Sequence, residues 1–181
     1  MTVEGPCRVL LIGMMGSGKS TIGRLLAAAT GWPYVDNDEL VRRSHGATAR
    51  QIVADQGEAR MREAEAGALA MGVTIPAPAV VGVAAGTILE ASDRELLRLS
   101  GVVVWLRADA AVLESRAMEA EHRPWLDAGG GSWIRDAIAE RDPLYASVAD
   151  MVIDTAAGDA DASAAEILDR LKRLPGCAEM R

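Results

Sequence analysis

The sequence predicts an α/β protein whose sheet is mostly parallel. Short apolar runs recur at residues 7–12, 79–83, 101–106 and 150–154, and a weaker run covers residues 32–36. None alternates cleanly between apolar and polar residues, which is expected of parallel strands that are covered by helices on both faces. Segments with helical patterns separate these runs. Strand and helix therefore alternate along the chain, the order of an α/β fold.

The segments between the strands carry helix signals. Several begin at Ser, Thr or Asp, whose side chains can accept the first unpaired backbone N–H groups. The predicted helices cover residues 19–30, 38–45, 48–71, 92–99, 109–120 and 161–174. The stretch 121–132 contains a Pro and three consecutive Gly residues, and it predicts either a mobile lid or a plain flexible connection.

The composition fits one globular domain, residues 1–181. Half of the residues are hydrophobic and a quarter are charged, and the length allows one compact core. The formal net charge is −7 and no segment gathers Lys or Arg, which argues against nucleic acid as the main partner. No apolar run approaches the length of a membrane span, and the N-terminal residues do not resemble a secretory signal. We expect a cytoplasmic protein that binds neither nucleic acid nor a membrane.

The two cysteines, Cys7 and Cys177, lie near opposite ends of the sequence and lack the spacing of a metal site. Disulfides are rare in cytosolic proteins. Reduced, structural thiols are therefore the prediction.

The first strand runs into a glycine-rich turn. Residues 13–20 match the pattern G-x-x-x-x-G-K-[ST], with a strand before it and an amphipathic helix after it. Glycines let the backbone wrap closely around an anion, and the N–H groups of the loop and helix start then point at phosphate oxygens. The turn predicts a bound nucleoside triphosphate with Mg²⁺. The residues predicted to contact them are Gly13, Gly16, Ser17, Gly18, Lys19, Ser20 and Thr21.

Three of these residues have specific expected roles. Lys19 can reach the β- and γ-phosphates, and the Ser20 hydroxyl can bind Mg²⁺. Thr21 is expected near the α-phosphate.

Two carboxylates, Asp36 and Asp38, follow the second strand, so one can face the metal while the other faces a substrate hydroxyl. The alternative is that both simply cap the helix that follows.

The ordered fragments "GMMGSGKSTIGRLLA", "DND", "GEARMREAE", "RPWL" and "RDPLY" resemble the successive motifs of the shikimate kinase family, at similar spacing. The resemblance covers nearly the whole chain. It implies a three-layer αβα P-loop kinase fold with a five-stranded parallel sheet, a helical substrate-binding region at about residues 36–70 and a lid at about 120–132. It also implies the transfer of phosphate from ATP to shikimate, a step of aromatic amino-acid biosynthesis.

The resemblance assigns roles by position. Asp36 would help to hold Mg²⁺, and Asp38 would bind and orient or deprotonate the acceptor hydroxyl. Arg62 and Arg141 would clamp the substrate carboxylate, and Arg123 would close onto the phosphates from the lid. A guanidinium presents paired donors that match a carboxylate, so two converging arginines favour an acidic substrate. The alternative for Arg62 and Arg141 is a solvated charge on a helix, and for Arg123 an idle charge in a loop.

One stretch departs from the family pattern. The third strand of the family runs into a T-G-G-G-like turn beside the substrate, whereas here Ala84 and Ala85 precede a single Gly86. Alanine costs roughly 1 kcal/mol or more if the turn needs a positive φ. If φ is negative, alanine only adds a methyl group beside the substrate.

This departure leaves two rival functions open: a kinase of another small hydroxy acid or polyol, and a nucleotide-binding regulatory protein with little turnover. We expect a small-molecule substrate and a monomer.

Overall fold

The computed structural model describes residues 7–119, 132–156, 159–174 and 176–177. The strands are β1 (Arg8–Ile12), β2 (Tyr34–Asp36), β3 (Ala79–Gly82), β4 (Val102–Arg107) and β5 (Met151–Asp154). The helices are α1 (Lys19–Thr30), α2 (Asn37–His45), α3 (Ala49–Gln56), α4 (Glu58–Thr74), α5 (Ala91–Ser100), α6 (Ala110–Glu119), α7 (Ser132–Val148) and α8 (Ala160–Leu171).

The five strands form one parallel sheet in the order β2-β3-β1-β4-β5. Strand β1 lies in the centre, where Leu10 pairs with Val81 on one side and Val103 on the other. The sheet predicted from the apolar runs is thereby confirmed. Because all the strands are parallel, their carboxyl ends meet at one edge, where α/β proteins bind their ligands.

Helices cover both faces of the sheet, as the lack of alternation in the strands predicts. Leu10 belongs to a buried cluster with side chains of α4, α5 and α7, whereas Leu11 belongs to a second cluster with side chains of α1 and α8. Neighbouring residues of one strand thus enter opposite layers. A strand with two buried faces reads as a continuous apolar run.

Two helices differ from the prediction. The predicted helix at 48–71 is divided at Gly57. This residue has a φ of 86° and a ψ of 172°, and it lies between the end of α3 and the start of α4. Helix α7 was not predicted, since Pro143 lies inside it and a run of glycines comes just before it. A proline inside a helix removes one backbone hydrogen bond, but it does not prevent a helix that is packed on a core.

Helices α2, α3 and α4 form a separate packed unit beside β2. Its small core consists of Val41, Ile52, Ala64 and Ala68. Helix α3 begins with a capping box in which Thr48 accepts from the Gln51 N–H and the Gln51 side chain accepts from the Thr48 N–H. These helices carry the acidic and basic residues that face the end of the sheet.

The prediction of reduced cysteines was wrong. Cys7 and Cys177 form a disulfide with Cα atoms 4.8 Å apart. The segment after α8 returns to the start of β1, so the cysteines meet although they are 170 residues apart in sequence. The separation of two cysteines in sequence does not predict whether they lie close together in space, because that depends on the complete fold. Within the described residues, no helix has both the length and the apolar character to cross a membrane.

Candidate active site

The glycine-rich loop connects the end of β1 to the start of α1. Gly13, Gly16 and Gly18 all have positive φ values, of 141°, 85° and 96°. A Cβ atom on Gly13 would lie 2.4 Å from the Leu106 carbonyl oxygen, so no side chain fits there. The loop therefore requires glycine both for its backbone conformation and for its close contact with β4.

The loop presents an electropositive end to the cavity. Lys19 donates to the carbonyl oxygens of Gly13 and Met14 at 2.8 and 2.9 Å, so its ammonium group lies across the loop. No side chain caps the start of α1, and its first turn contains no acid. The N–H groups of that turn are thus available to an anion, which the helix dipole also favours.

Asp36 ends β2 and caps α2, so the helix-cap reading holds for Asp36, and its expected role in holding Mg²⁺ stays a prediction. Its Oδ1 accepts from the backbone N–H of Asp38 at 3.1 Å. Its Oδ2 accepts from the Ser20 hydroxyl at 2.8 Å and from the Tyr34 hydroxyl at 2.6 Å. Burial and the Asp36 carboxylate raise the pKa of Tyr34 above its ordinary value, which keeps the phenol protonated as a donor.

The acceptor side of the site centres on Glu65 of α4. Its carboxylate is buried, and Oε2 makes no hydrogen bond. Burial and the negative charge of Asp38 raise the pKa of Glu65 to about 7, while the charges of Arg62, Arg141 and Lys19 act in the opposite direction. These electrostatic contacts mean that the structure brings the predicted acceptor-side residues together.

The two predicted clamp arginines come from different helices and line the same cavity. Arg62 of α4 lies 3.6 Å from Glu58, and its side chain is 36% exposed. Arg141 of α7 is only 16% exposed, and its buried Nε makes no hydrogen bond. This Nε lies 3.9 Å from Glu140 Oε2, too far for a hydrogen bond, and an acidic ligand in the cavity would supply a closer acceptor.

The turn after β3 accommodates its two alanines. Within the described residues, only glycines have a positive φ, so Ala84 and Ala85 fit the turn without backbone strain. The Ala85 carbonyl oxygen accepts from the Tyr145 hydroxyl at 2.9 Å. A Cβ atom on Gly86 would lie 2.7 Å from Glu65 Oε2, so a side chain at this position would have to displace the carboxylate.

The loop and the acceptor-side residues face one cavity of about 820 Å³. Its lining includes all of the predicted site residues within the described part of the chain except Gly13, which packs against Leu106 of β4. Residues 120–131 lie outside the described residues, and with them Arg123 and nearly all of the predicted lid.

Sequence reasoning missed several residues of the site. Arg116 of α6 donates to the carbonyl oxygens of Gly16 at 3.1 Å and Thr155 at 2.6 Å. The Thr155 hydroxyl donates to the Ser17 carbonyl oxygen at 3.2 Å, so both side chains hold the loop in place. An arginine on a helix gives no local signal of such a role. Tyr145 lies in the quoted "RDPLY" motif, which was the available hint.

The comparisons with known proteins agree with this geometry. A family model described as "Shikimate kinase" matches residues 15–172. The shikimate kinase of Oleidesulfovibrio alaskensis is 42% identical over 81% of this chain and 87% of its own. That of Moorella thermoacetica is 38% identical over 92% of this chain and 95% of its own.

A solved structure gives the same result. The shikimate kinase from Acinetobacter baumannii in complex with shikimate superposes with a TM-score of 0.86 at 34% identity, covering 92% of this chain and 93% of that one. The sequence and structure comparisons thus both match shikimate kinases over most of their length. The chain belongs to the shikimate kinase family.

Proposed function

We propose that this protein transfers the γ-phosphoryl group of ATP to a hydroxyl group of shikimate, giving shikimate 3-phosphate and ADP. The observation that carries the proposal is one cavity with an electropositive phosphate loop at one end and two arginines from separate helices at the other. A phosphate donor and an acidic acceptor each find a matching surface there. The reaction would serve aromatic amino-acid biosynthesis, in a monomer located in the cytoplasm.

The donor side of the mechanism follows from the loop. Its backbone N–H groups and the start of α1 hold the phosphate oxygens, and Lys19 places a positive charge beside the phosphoryl group that is transferred. Arg116 keeps the loop in position by donating to the Gly16 carbonyl oxygen. The proposed Arg123 contact from the lid would add a second positive charge.

The donor set beside the loop fits Mg²⁺. Ser20 and Asp36 supply a hydroxyl and a carboxylate oxygen 2.8 Å apart, and both are the hard oxygen ligands that this ion prefers. Among the described residues, no three His, Cys, Asp or Glu side chains cluster as a metal cage of their own. Mg²⁺ is commonly held by one or two carboxylates with phosphate and water. When bound, the ion neutralises charge that develops on the phosphates.

The acceptor side positions the alcohol. Arg62 and Arg141 bind the carboxylate of shikimate, and Asp38 binds the hydroxyl group that attacks and orients or deprotonates it. Glu65 lies among these groups, with Gly86 packed against its carboxylate. Little covalent chemistry is required of the protein, because phosphoryl transfer depends mainly on positioning and electrostatic stabilisation.

The test is coupled ADP release with shikimate, quinate, gluconate and no acceptor. Turnover that depends on shikimate, at roughly 1 to 100 per second, is the expected result. Turnover with quinate or gluconate alone would identify a kinase of another hydroxy acid. ATP binding without turnover on any acceptor would indicate a regulatory protein.

A further inference from the structure

The orientation of the Asp36 carboxylate depends on a residue that has no part in the mechanism above. The Tyr34 hydroxyl donates to Asp36 Oδ2 at 2.6 Å, and the Asp38 N–H donates to Oδ1 at 3.1 Å. The bond from Tyr34 holds one carboxylate oxygen, and the bond from Asp38 holds the other. The third donor, Ser20, lies toward the phosphate loop.

The fold makes room for the Tyr34 ring at two glycines. A Cβ atom on Gly23 of α1 would lie 2.2 Å from Tyr34 Cε2, and one on Gly82 of β3 would lie 2.5 Å from the Tyr34 hydroxyl oxygen. Gly82 also pairs with Asp36 in the sheet. The ring is thus confined between a helix and a strand, with its hydroxyl directed at the carboxylate.

We propose that Tyr34 is a positioning residue for the metal site, which fixes the orientation of the Asp36 carboxylate beside Ser20. A carboxylate offers about four acceptor positions, and the hydrogen bonds from Tyr34 and Asp38 each occupy one position, on Oδ2 and on Oδ1. Hydrogen bonds to a ligating carboxylate orient it and tune its affinity for a metal. The inference rests on the proposed metal site at Ser20 and Asp36.

The effect of the Tyr34 hydroxyl group can be tested separately from that of the Tyr34 ring. Phenylalanine fills the space between Gly23 and Gly82 as tyrosine does, so Tyr34→Phe removes only the hydroxyl group, with its bond to Asp36 and its contact with Ser20. Tyr145→Phe is the matched control, because the Tyr145 hydroxyl donates to the Ala85 carbonyl oxygen and not to Asp36. The two variants lose the same atom at different places in the site.

The experiment measures Mn²⁺ binding to the ADP complex of the full chain by electron paramagnetic resonance. We expect Tyr34→Phe to weaken Mn²⁺ binding by about tenfold, a typical effect of losing such a supporting hydrogen bond, with ADP affinity in the absence of metal unchanged. Tyr145→Phe should bind Mn²⁺ as the wild type does. Mn²⁺ affinity in Tyr34→Phe equal to that of the wild type would overturn the inference.

An Asp36→Asn variant tests the proposed metal site separately from the role of Tyr34. If Asp36→Asn binds Mn²⁺ as tightly as the wild type, the proposed metal site is itself wrong and the role of Tyr34 fails with it. If Asp36→Asn loses binding while Tyr34→Phe retains it, only the role of Tyr34 is wrong.

A second measurement keeps the native hydrogen bond and does not depend on the folding of Tyr34→Phe. The chain contains two tyrosines, so protein labelled with fluorotyrosine gives two ¹⁹F resonances, which Tyr145→Phe assigns. Adding Mg²⁺ to the ADP complex should shift the Tyr34 resonance and leave that of Tyr145 in place. A Tyr34 resonance that Mg²⁺ does not move would contradict the inference.

Discussion

Glu65 interacts electrostatically with four charged side chains of the cavity: Asp38, Arg62, Arg141 and Lys19. Burial dominates its environment and raises its pKa, in spite of the three positive charges. A buried carboxylate costs free energy unless it is paired, and Oε2 makes no hydrogen bond. The protein thus maintains a group at its site that makes the fold sensitive to pH.

This sensitivity predicts how stability depends on pH. The pKa of Glu65 is about 7 in the folded state against an ordinary value of 4.5, so the folded state binds this proton more tightly than the unfolded state. The contribution of Glu65 is therefore complete below pH 4.5 and is lost as the pH rises through 7. We expect a loss on the order of 3 kcal/mol, measured by urea unfolding between about pH 4 and pH 8. Glu65→Gln should remove this part of the dependence, and an unchanged profile would contradict the assignment.

Arg141 provides a test of the carboxylate clamp. Removing a charge-assisted hydrogen bond of a guanidinium should raise the KM for shikimate by about 10- to 100-fold in Arg141→Ala, with much less effect on the KM for ATP. Arg135→Ala is the control, because Arg135 lies on the same helix, is largely exposed and pairs with Glu114 at 3.5 Å. Steady-state kinetics with each substrate varied in turn gives both constants. An equal rise in both KM values for Arg141→Ala would contradict the assignment of Arg141 to the substrate carboxylate.

At the scale of the elements, Gly57 divides the helical region that carries the acceptor-side residues. It separates α3 from α4 in a conformation, φ 86° and ψ 172°, that residues other than glycine rarely adopt. The division sets where α4 begins, four residues before Arg62. A continuous helical pattern in the sequence conceals it, since the pattern reports which face is buried and not where the chain turns.

Two of the glycines of this region, Gly57 and Gly67, should respond to alanine in opposite ways. Gly57→Ala should lower the free energy of unfolding by about 1 to 3 kcal/mol, because alanine is strained in that conformation. Gly67 lies inside α4, and a Cβ atom there meets nothing within 4 Å, so Gly67→Ala should raise it by about 0.5 to 1 kcal/mol. Chemical denaturation of both variants measures the pair. Equal effects would mean that Gly57 is an ordinary helical residue.

The elements that the sequence predicts well are those with a local cause. The five strands follow from apolar runs, and the phosphate loop follows from glycines and a lysine at fixed spacing. Helix α7 was missed because Pro143 is a local argument against a helix, and its packing on the core outweighs that argument. The contacts of Tyr34 and Arg116 could not be predicted, because they join residues that only the complete sheet brings together.

At the scale of the whole molecule, the disulfide lies at the opposite end of the central strand from the site. Cys7 precedes β1, whereas the phosphate loop follows it. The bond therefore joins the C-terminal segment to the core without touching the cavity. Its influence should be on stability and not on the chemistry.

Reduction separates these two effects. Opening the disulfide, or replacing both cysteines by serine, should lower the free energy of unfolding by about 2 to 4 kcal/mol, since the bond closes a very long loop. The kcat should be unchanged at a temperature where both forms are folded. Thiol titration of the unreduced, denatured protein should find no thiols. A fall in kcat upon reduction would indicate that the C-terminal segment influences the site.

The central claim is that one cavity joins an ATP phosphate site to a site for shikimate. The most direct test is ³¹P NMR of the protein incubated with ATP, Mg²⁺ and shikimate. We predict a new phosphomonoester resonance, coupled to the proton on C3 of shikimate, that grows in equal amount with ADP. ADP accompanied only by inorganic phosphate, or a phosphomonoester at another carbon, would contradict the claim.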